Sequence, residues 1–452
     1  MTIDTDASPS RDSPAEETLD TLVVVLDEVR FGHSRSRSEI AHRTGLSRAV
    51  VTQRVTELVD RGLLREAGPG PSTGGRRPRQ LGFVASAGHL LVADLGATSI
   101  DVALTDLTGR ILDHRAEPAD ISQGPEAVLG RVDQLFGRLH AADPSTGHLW
   151  GIGIGVPGPV EFRTGKPTSP PIMPGWDGYP IRERFAERYG APVWTDNDVN
   201  VMALGEWRAG VARGHSNVVF VKVGTGIGAG LISDGLLHRG AQGAAGDVGH
   251  IQVVDDPAVV CRCGNIGCLE AIAGGGALAR DGTKAAQDGR SALLAAALRS
   301  RGSVTAADIA LAAQHGDRAS VELLQEAGRR IGTMLASVVN FFNPSLIVVG
   351  GGVAASGDQL VTAIREVVYR RSLPLATREL LIKRSALPGI GGVIGAGAMV
   401  ADQLLARPVL ERWIGAGSPV GQAWVAADSV EPDFLRPTAA AAISPAGFGV
   451  AG

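Results

Sequence analysis

The sequence predicts a large α/β module preceded by a small α+β winged helix-turn-helix domain. Three observations carry that expectation. The chain has 452 residues, about three times the length of a typical domain. A window from Arg35 to Arg79 holds ten arginines against Glu39, Glu57, Asp60 and Glu66, a net of +6 in a chain whose total is −4. Beyond it, several apolar runs of strand length each pass into a glycine-rich turn.

Composition excludes several classes at once. With 44% hydrophobic and 20% charged residues the chain has material for a sizeable core and is not globally disordered. The small total charge points to neither a nucleic acid nor a membrane, but the +6 window leaves −10 for the remainder, so a basic module is joined to an acidic one. The three cysteines, an odd number, lie between Cys261 and Cys268, which argues against a secreted disulfide framework and for a reducing cytoplasm.

Residues 1–18 begin with acids and lack an apolar stretch, so a disordered leader is expected rather than a signal peptide. Residues 19–85 form the expected winged helix. Leu19 to Val29 gives an amphipathic helix. Ser36 followed by Glu39 has the form of a capping box, and Gly45 can end that helix in a left-handed conformation. Ser47 caps a further helix on which Val51, Val55, Leu58 and Val59 repeat at helical spacing. Its other face offers Arg48, Thr52, Gln53 and Arg54, which with Ser47 are expected to meet base edges and phosphates in a major groove of operator DNA. After Leu64, two strand-like pieces flank a Gly/Pro/Ser turn, the form of a wing, with Arg76, Arg77 and Arg79 beside it for phosphates or a minor groove. An isolated RRPR hairpin is more often a solvated turn. Following a helix-turn-helix at this distance, it reads as part of a DNA-binding surface.

Residues 86–405 form the expected α/β module. The run LLVADLGATSIDVAL places Asp94 at a strand end before Gly96 and Thr98, a turn that can meet phosphate oxygens while Asp94 holds a hydrated metal; a plain hairpin explains it about as well. A second turn, Gly224, Thr225, Gly226 and Gly228, follows VVFVKV, and a third, Gly350, Gly351 and Gly352, follows SLIVV. Each alone is explicable as a turn that only glycine fits; in this order they resemble the nucleotide turns of the actin-like, ribonuclease H-like sugar kinase fold. Between them, TDNDVN sets Asn197 and Asp198 at another strand end. There Asp198 can act as general base on a sugar hydroxyl, or can simply cap the helix that follows. The run from Ser385 to Ala401 is uncharged, but its five glycines and Pro388 argue against a membrane span. An irregular tail is expected over 406–452.

His250, Cys261, Cys263 and Cys268 place one imidazole and three thiols within nineteen residues, with Gly264 and Gly267 letting the chain wrap a small ion. Such soft ligation with no open position suggests structural zinc.

With these residues in view the chain from about His89 to Leu405 resembles the ROK family, named for repressor, open reading frame and kinase. The likeness runs through DLGAT, GVPGPV, TDNDVN, GTGIG, GAAGDVGH, the CRCGNIGC loop and FFNPSLIVVGGG. The resemblance implies a sugar in an interlobe cleft, bound by Gly158, Asn197, Asp198, Asp247, His250 and Glu270. It implies zinc on the histidine and cysteines, orienting the loop that brings Asp247 and Glu270 to the sugar, and a homodimer or homotetramer. In the family's kinases it further implies ATP and Mg²⁺ along Asp94, Gly96, Thr98, Gly224, Thr225, Gly226, Gly228, Gly350 and Gly351, with Asp198 as base. Two departures stand out: Asp247 replaces the glutamate of the GxxGExGH pattern, and Ser99 stands where kinases often carry lysine. Two functions follow. The first is a sugar-responsive transcriptional repressor without a membrane partner, and a winged helix ahead of the module favours it. The second is an ATP-dependent sugar kinase.

Overall fold

The structure is a computed structural model that describes residues 14–69, 79–142, 148–355 and 357–421. It divides into two compact bodies. One joins the chain up to Gly88 with a segment from Asp402; the other is His89–Ala401.

In the first body, helix α1 (Pro14–Arg30) buries Leu22, Val25, Leu26 and Val29 on one face. Helix α2 (Arg37–Thr44) begins at Ser36, whose side chain accepts from the Glu39 N–H, and ends at Gly45, where a φ of +72° suits a residue without Cβ. Helix α3 (Arg48–Asp60) begins at Ser47, which accepts from the Val50 N–H, and buries Val51, Val55 and Leu58 completely. Strands β1 (Leu64–Pro69) and β2 (Arg79–Phe83) pair antiparallel, with Leu64 opposite Phe83. The expected wing is therefore a hairpin in its described strands; its turn, with Arg76 and Arg77, lies outside the described residues.

The second body uses one sheet plan twice. Its first lobe holds β3 (His89–Leu95), β4 (Ser99–Asp106), β5 (Ile111–Pro118), α4 (Pro125–Ala142), β6 (Leu149–Val156), the short pair β7 (Val160–Glu161) and β8 (Lys166–Pro167), α5 (Ile181–Tyr189) and β9 (Val193–Asn197). The sheet order is β5-β4-β3-β6-β9, the first three antiparallel and β3, β6 and β9 parallel. The second lobe opens with α6 (Asp198–Ala209), β10 (Val218–Val223), β11 (Ile227–Ser233) and β12 (Leu236–His238). Helices α7 (Leu269–Ala273), α8 (Gly275–Gln287), α9 (Ala292–Arg301), α10 (Ala306–Gln314) and α11 (Arg318–Phe342) follow, then β13 (Leu346–Gly350), α12 (Gly352–Ala355), α13 (Gln359–Arg371), α14 (Pro374–Thr377) and β14 (Leu381–Arg384). Its order β12-β11-β10-β13-β14 repeats the same antiparallel and parallel pairings. The parallel strands β6 and β13, LWGIGIGV and LIVVG, carry no charged or polar side chain, as suits strands covered on both faces.

Helix α15 (Gly391–Leu405) and helix α16 (Arg407–Trp413) complete the described chain. From Gly391 to Ala401 the apolar run is buried: a Cβ on Gly395 would stand 1.6 Å from the Val201 carbonyl oxygen, so α15 reaches the backbone of α6 only where side chains are missing. No single described helix is long and apolar enough to cross a membrane.

Two boundaries differ from expectation. Helix α1 starts at Pro14, inside the expected leader, and α16 with the short helical turn Ile414–Ala416 occupies the start of the expected irregular tail. The Pro/Gly/Ala-rich composition there conceals a helical set, Val409, Leu410 and Trp413, which is buried within the first body. Arg407 pairs with Asp20 at 3.0 Å, Arg30 pairs with Asp402 at 2.6 Å, and Arg61 donates to the Ile414 carbonyl.

Candidate functional site

On α3 the structure separates the expected DNA-facing residues. Ser47, Arg48, Thr52 and Gln53 are exposed. Arg54 is 7% exposed; its guanidinium lies 2.9 Å from Glu57 and 3.1 Å from the Thr21 hydroxyl of α1. Arg54 is thus a correction: at helical spacing it shares the phase of Val51, Val55 and Leu58 and supports α1 instead of reaching outward. The Thr52 hydroxyl donates back to the Arg48 carbonyl at 2.7 Å. Arg79 is largely exposed and pairs with Glu66, which also holds Arg37 at 2.8 Å.

In the second body the candidate residues collect at the carboxyl ends of parallel strands, where open α/β sheets bind ligands. Asp94 lies near the end of β3, before the turn in which the Gly96 N–H donates to the Ser99 carbonyl. Gly158 follows β6, and its carbonyl accepts from Asn197 Nδ2 at 2.9 Å. Asn197 Oδ1 accepts from the Val199 N–H at 2.9 Å, so it is Asn197 that caps α6 and Asp198 is freed for other partners. Asp198 is 2% exposed, and its Oδ2 meets the ammonium of Lys222 from β10. Burial pushes the Asp198 carboxyl up, and Lys222 opposes that shift. Burial first, then the charge of Asp198, push Asp94 up to about 8. Asp94 Oδ1 is buried without a hydrogen-bond partner.

Behind this pair stands a group that no motif revealed. Asp196 is 1% exposed; its Oδ2 accepts from Arg239 Nε at 2.7 Å, and its Oδ1 accepts from the Asn197 N–H at 2.7 Å and from Asn200 Nδ2 at 2.9 Å. The Arg239 guanidinium stacks 3.7 Å from the Phe162 ring centre. A buried charge with both oxygens partnered fixes the strand end that carries Asn197 and Asp198. Arg239 lies some forty residues further along the sequence, so only the fold pairs them.

The glycine turns sort themselves. Gly224, Thr225 and Gly226 form the β10–β11 turn; the Gly224 carbonyl accepts from Gly275 at 2.8 Å and the Thr225 carbonyl from Gly276 at 3.3 Å, which brings the start of α8 against the turn. Gly228 lies in β11 opposite Lys222, where a Cβ would stand 3.0 Å from Val199. It is a packing residue and not part of the turn, a second correction. Gly350 ends β13 against Phe220, and Gly351, at φ +89°, lies close over the Val223 backbone.

Asp247 and Glu270 reach the same region through β11. The Ala229 N–H donates to the Gly246 carbonyl at 2.8 Å, while Glu270 Oε2 accepts from the Ile227 N–H at 3.0 Å. Burial raises the Asp247 carboxyl above its ordinary value, His250 opposes this and Glu270 adds to it.

Beside them His250, Cys261, Cys263 and Cys268 gather their ligand atoms within 4.8 Å of one another. Cys261 Sγ stands 3.7 Å from His250 Nδ1, and Cys263 Sγ stands 3.8 Å from Cys268 Sγ. Tetrahedral zinc with Zn–S of about 2.3 Å requires S···S edges of ~3.8 Å, so the donor set fits such an ion in chemistry and in spacing. Burial, followed by hydrogen bonds among the thiols, pushes Cys268 up to about 12, the cost of a thiolate there without a cation. Cys268 also precedes α7, the helix that carries Glu270, so a metal-held loop would fix that carboxylate's position.

The profile of the ROK family matches residues 91–403. A putative xylose repressor from Caldicellulosiruptor sp. (strain Rt8B.4) is 32% identical over 390 residues, which cover 85% of this chain and 96% of that protein. Among solved structures, a ROK family transcriptional regulator described as a homologue of the E. coli MLC protein superposes with a TM-score of 0.73 at 26% identity, covering 88% of this chain and 99% of its own. A ROK family glucokinase from Streptomyces griseus, solved with glucose and AMPPNP, gives 0.60 at 31% identity and covers 69% of this chain and 98% of its own.

Proposed function

The chain belongs to the ROK family, and from that membership we propose that it is a sugar-responsive transcriptional repressor. One observation carries the reading: similarity to the xylose repressor and to the MLC-like regulator spans 85% and 88% of the chain, whereas the glucokinase accounts for 69%. The difference is about the length of the N-terminal body with its exposed α3 face.

In this reading α3 enters a major groove of operator DNA. Arg48, Thr52 and Gln53 face base edges there, and Arg76, Arg77 and Arg79 at the wing meet phosphates or the minor groove. A sugar or sugar derivative lies in the interlobe cleft. Its hydroxyls are taken by Asn197, Asp198, Asp247, His250 and Glu270, with the Gly158 backbone beside Asn197 lining the site. Zinc on His250, Cys261, Cys263 and Cys268 would hold the loop ahead of α7. The protein acts in the cytoplasm as a homodimer or homotetramer. Ligand lowers operator affinity by binding the DNA-incompetent state more tightly, a coupling of about 1–3 kcal/mol.

The test is a gel shift with the upstream region of the protein's own gene. A sequence-selective shift that weakens steeply with salt and is reversed by D-xylose or D-glucose is expected. No selective shift, combined with sugar-dependent ADP release abolished by Asp198→Asn, would favour the kinase reading instead.

A further inference from the structure

Strand β10 has an anomaly in its middle. Val219, Val221 and Val223 enter the core of the second lobe, and Val218 and Phe220 are buried on the other face. Lys222 is the one charged residue in the strand and one of four lysines in the chain. Its side chain is 23% exposed, while its ammonium meets Asp198, whose side chain is 3% exposed. The stem runs beneath the nucleotide-type turn: a Cβ on Gly224 would stand 3.5 Å from Lys222 Cε. An ammonium led into a strand interior is unfavourable unless it is paired, so the lysine and its placement on Asp198 form one feature.

The pair alters what the surrounding carboxylates can hold. Asp94 and Asp198 act on each other electrostatically, and Lys222 acts on both. Asp94 is closed in by backbone: a Cβ on Gly392 would stand 1.8 Å from its Oδ2, and one on Gly155 would stand 3.2 Å from its Oδ1. Two carboxylates at this place, one with an unpartnered oxygen, would by themselves suit a hydrated divalent cation. A fixed ammonium on Asp198 Oδ2 supplies one positive charge there, repels a second, and makes the carboxylate a weaker base while its other oxygen can still accept a hydrogen bond. The Mg²⁺-nucleotide of the family's kinases therefore does not fit the residues present.

We infer that Lys222 is a built-in cation: it replaces the divalent metal between Asp94 and Asp198 and holds Asp198 as a sugar-hydroxyl acceptor instead of a base. Lys222 is a positioning residue, and the cleft it leaves binds sugar without metal or nucleotide. This inference rests on the sugar-binding reading above and specifies why that site binds without turnover.

The experiment is calorimetric titration of a non-hydrolysable ATP analogue into the full-length protein, in Mg²⁺ and in EDTA. Wild type and Lys222→Arg should bind it weakly and equally in both. Lys222→Met should gain at least about tenfold in Mg²⁺ over EDTA, the scale of removing one nearby like charge, and adding Asp94→Asn should abolish the gain. A Mg²⁺ enhancement as large in wild type as in Lys222→Met would overturn the proposal, as would a Lys222→Met protein indifferent to Mg²⁺. Should Lys222→Met fail to fold, Mn²⁺ titrated into wild type and followed by water-proton relaxation decides. Absence of a site dependent on Asp94 supports the inference, and a tight site removed by Asp94→Asn sinks it. The operator gel shift reads a different body of the protein. An intact shift with Mg²⁺-dependent wild-type binding refutes only the role of Lys222, whereas no shift with Mg²⁺-independent binding refutes only the repressor.

Discussion

Gln53 and Arg54 are neighbours on α3 with opposite surroundings, one exposed and the other hydrogen-bonded to Glu57 and to Thr21 of α1. Arg54→Ala should lower the stability of the N-terminal body by about 1–3 kcal/mol, since Glu57 and the α1 hydroxyls lose a mostly buried partner; urea denaturation reads this. Gln53→Ala should change stability by less than about 0.5 kcal/mol and shift base preference in a binding-site selection. Equal stability losses in the two would contradict the burial difference. Asp94 makes a prediction of another kind. Its carboxyl is raised from 3.8 to about 8, so between those values the folded protein binds more protons than the unfolded chain. Stability from this group is full below the lower value and is lost as pH rises through the upper one. Asp94→Asn should flatten the stability–pH curve over that interval, and an unchanged slope would refute the assignment.

Among the elements, the sequence is most legible where a backbone conformation demands a residue type. Ser36, Gly45 and Ser47 set the ends of α2 and α3, and the glycines of the β10–β11 turn stand directly at a strand end. The cysteine loop is legible because few packing arguments call for three thiols with a histidine in so short a span. Legibility fails where the deciding contact is distant in sequence. Arg54 takes its direction from α1, Asp196 needs Arg239, Gly228 answers to Val199, and Lys222 matters through Asp198. Helix α16 escaped because proline and glycine mask its three apolar anchors. The cysteine loop carries its own prediction. Elemental analysis should find near one zinc per chain, and a chelator that removes it should weaken sugar binding by an order of magnitude or more, as loss of a ligand-orienting partner does elsewhere. Metal-free protein with unaltered sugar affinity would contradict the proposed role of the loop in placing Glu270.

At the scale of the molecule, the repeated five-stranded plan of the second body accounts for the placing of its functional residues. Each lobe presents the carboxyl ends of its parallel strands, and α6 begins where β9 ends, so Asn197 closes the first lobe while Asp198, Lys222 and the glycine turn come from the second. The first body has a different construction, because α1 near one end of the chain and α16 near the other belong to the same unit. That division sets an order of events during synthesis. Helix α1 leaves the ribosome long before Val409, Leu410 and Trp413 have been translated, an interval of roughly 20–80 s at about 5–20 residues per second. Throughout that time Asp20 and Arg30 lack Arg407 and Asp402. The nascent chain therefore has every strand of its ligand module available before its N-terminal body is finished, and a message broken shortly before the codon for Arg407 yields a chain whose N-terminal body lacks its closing helix.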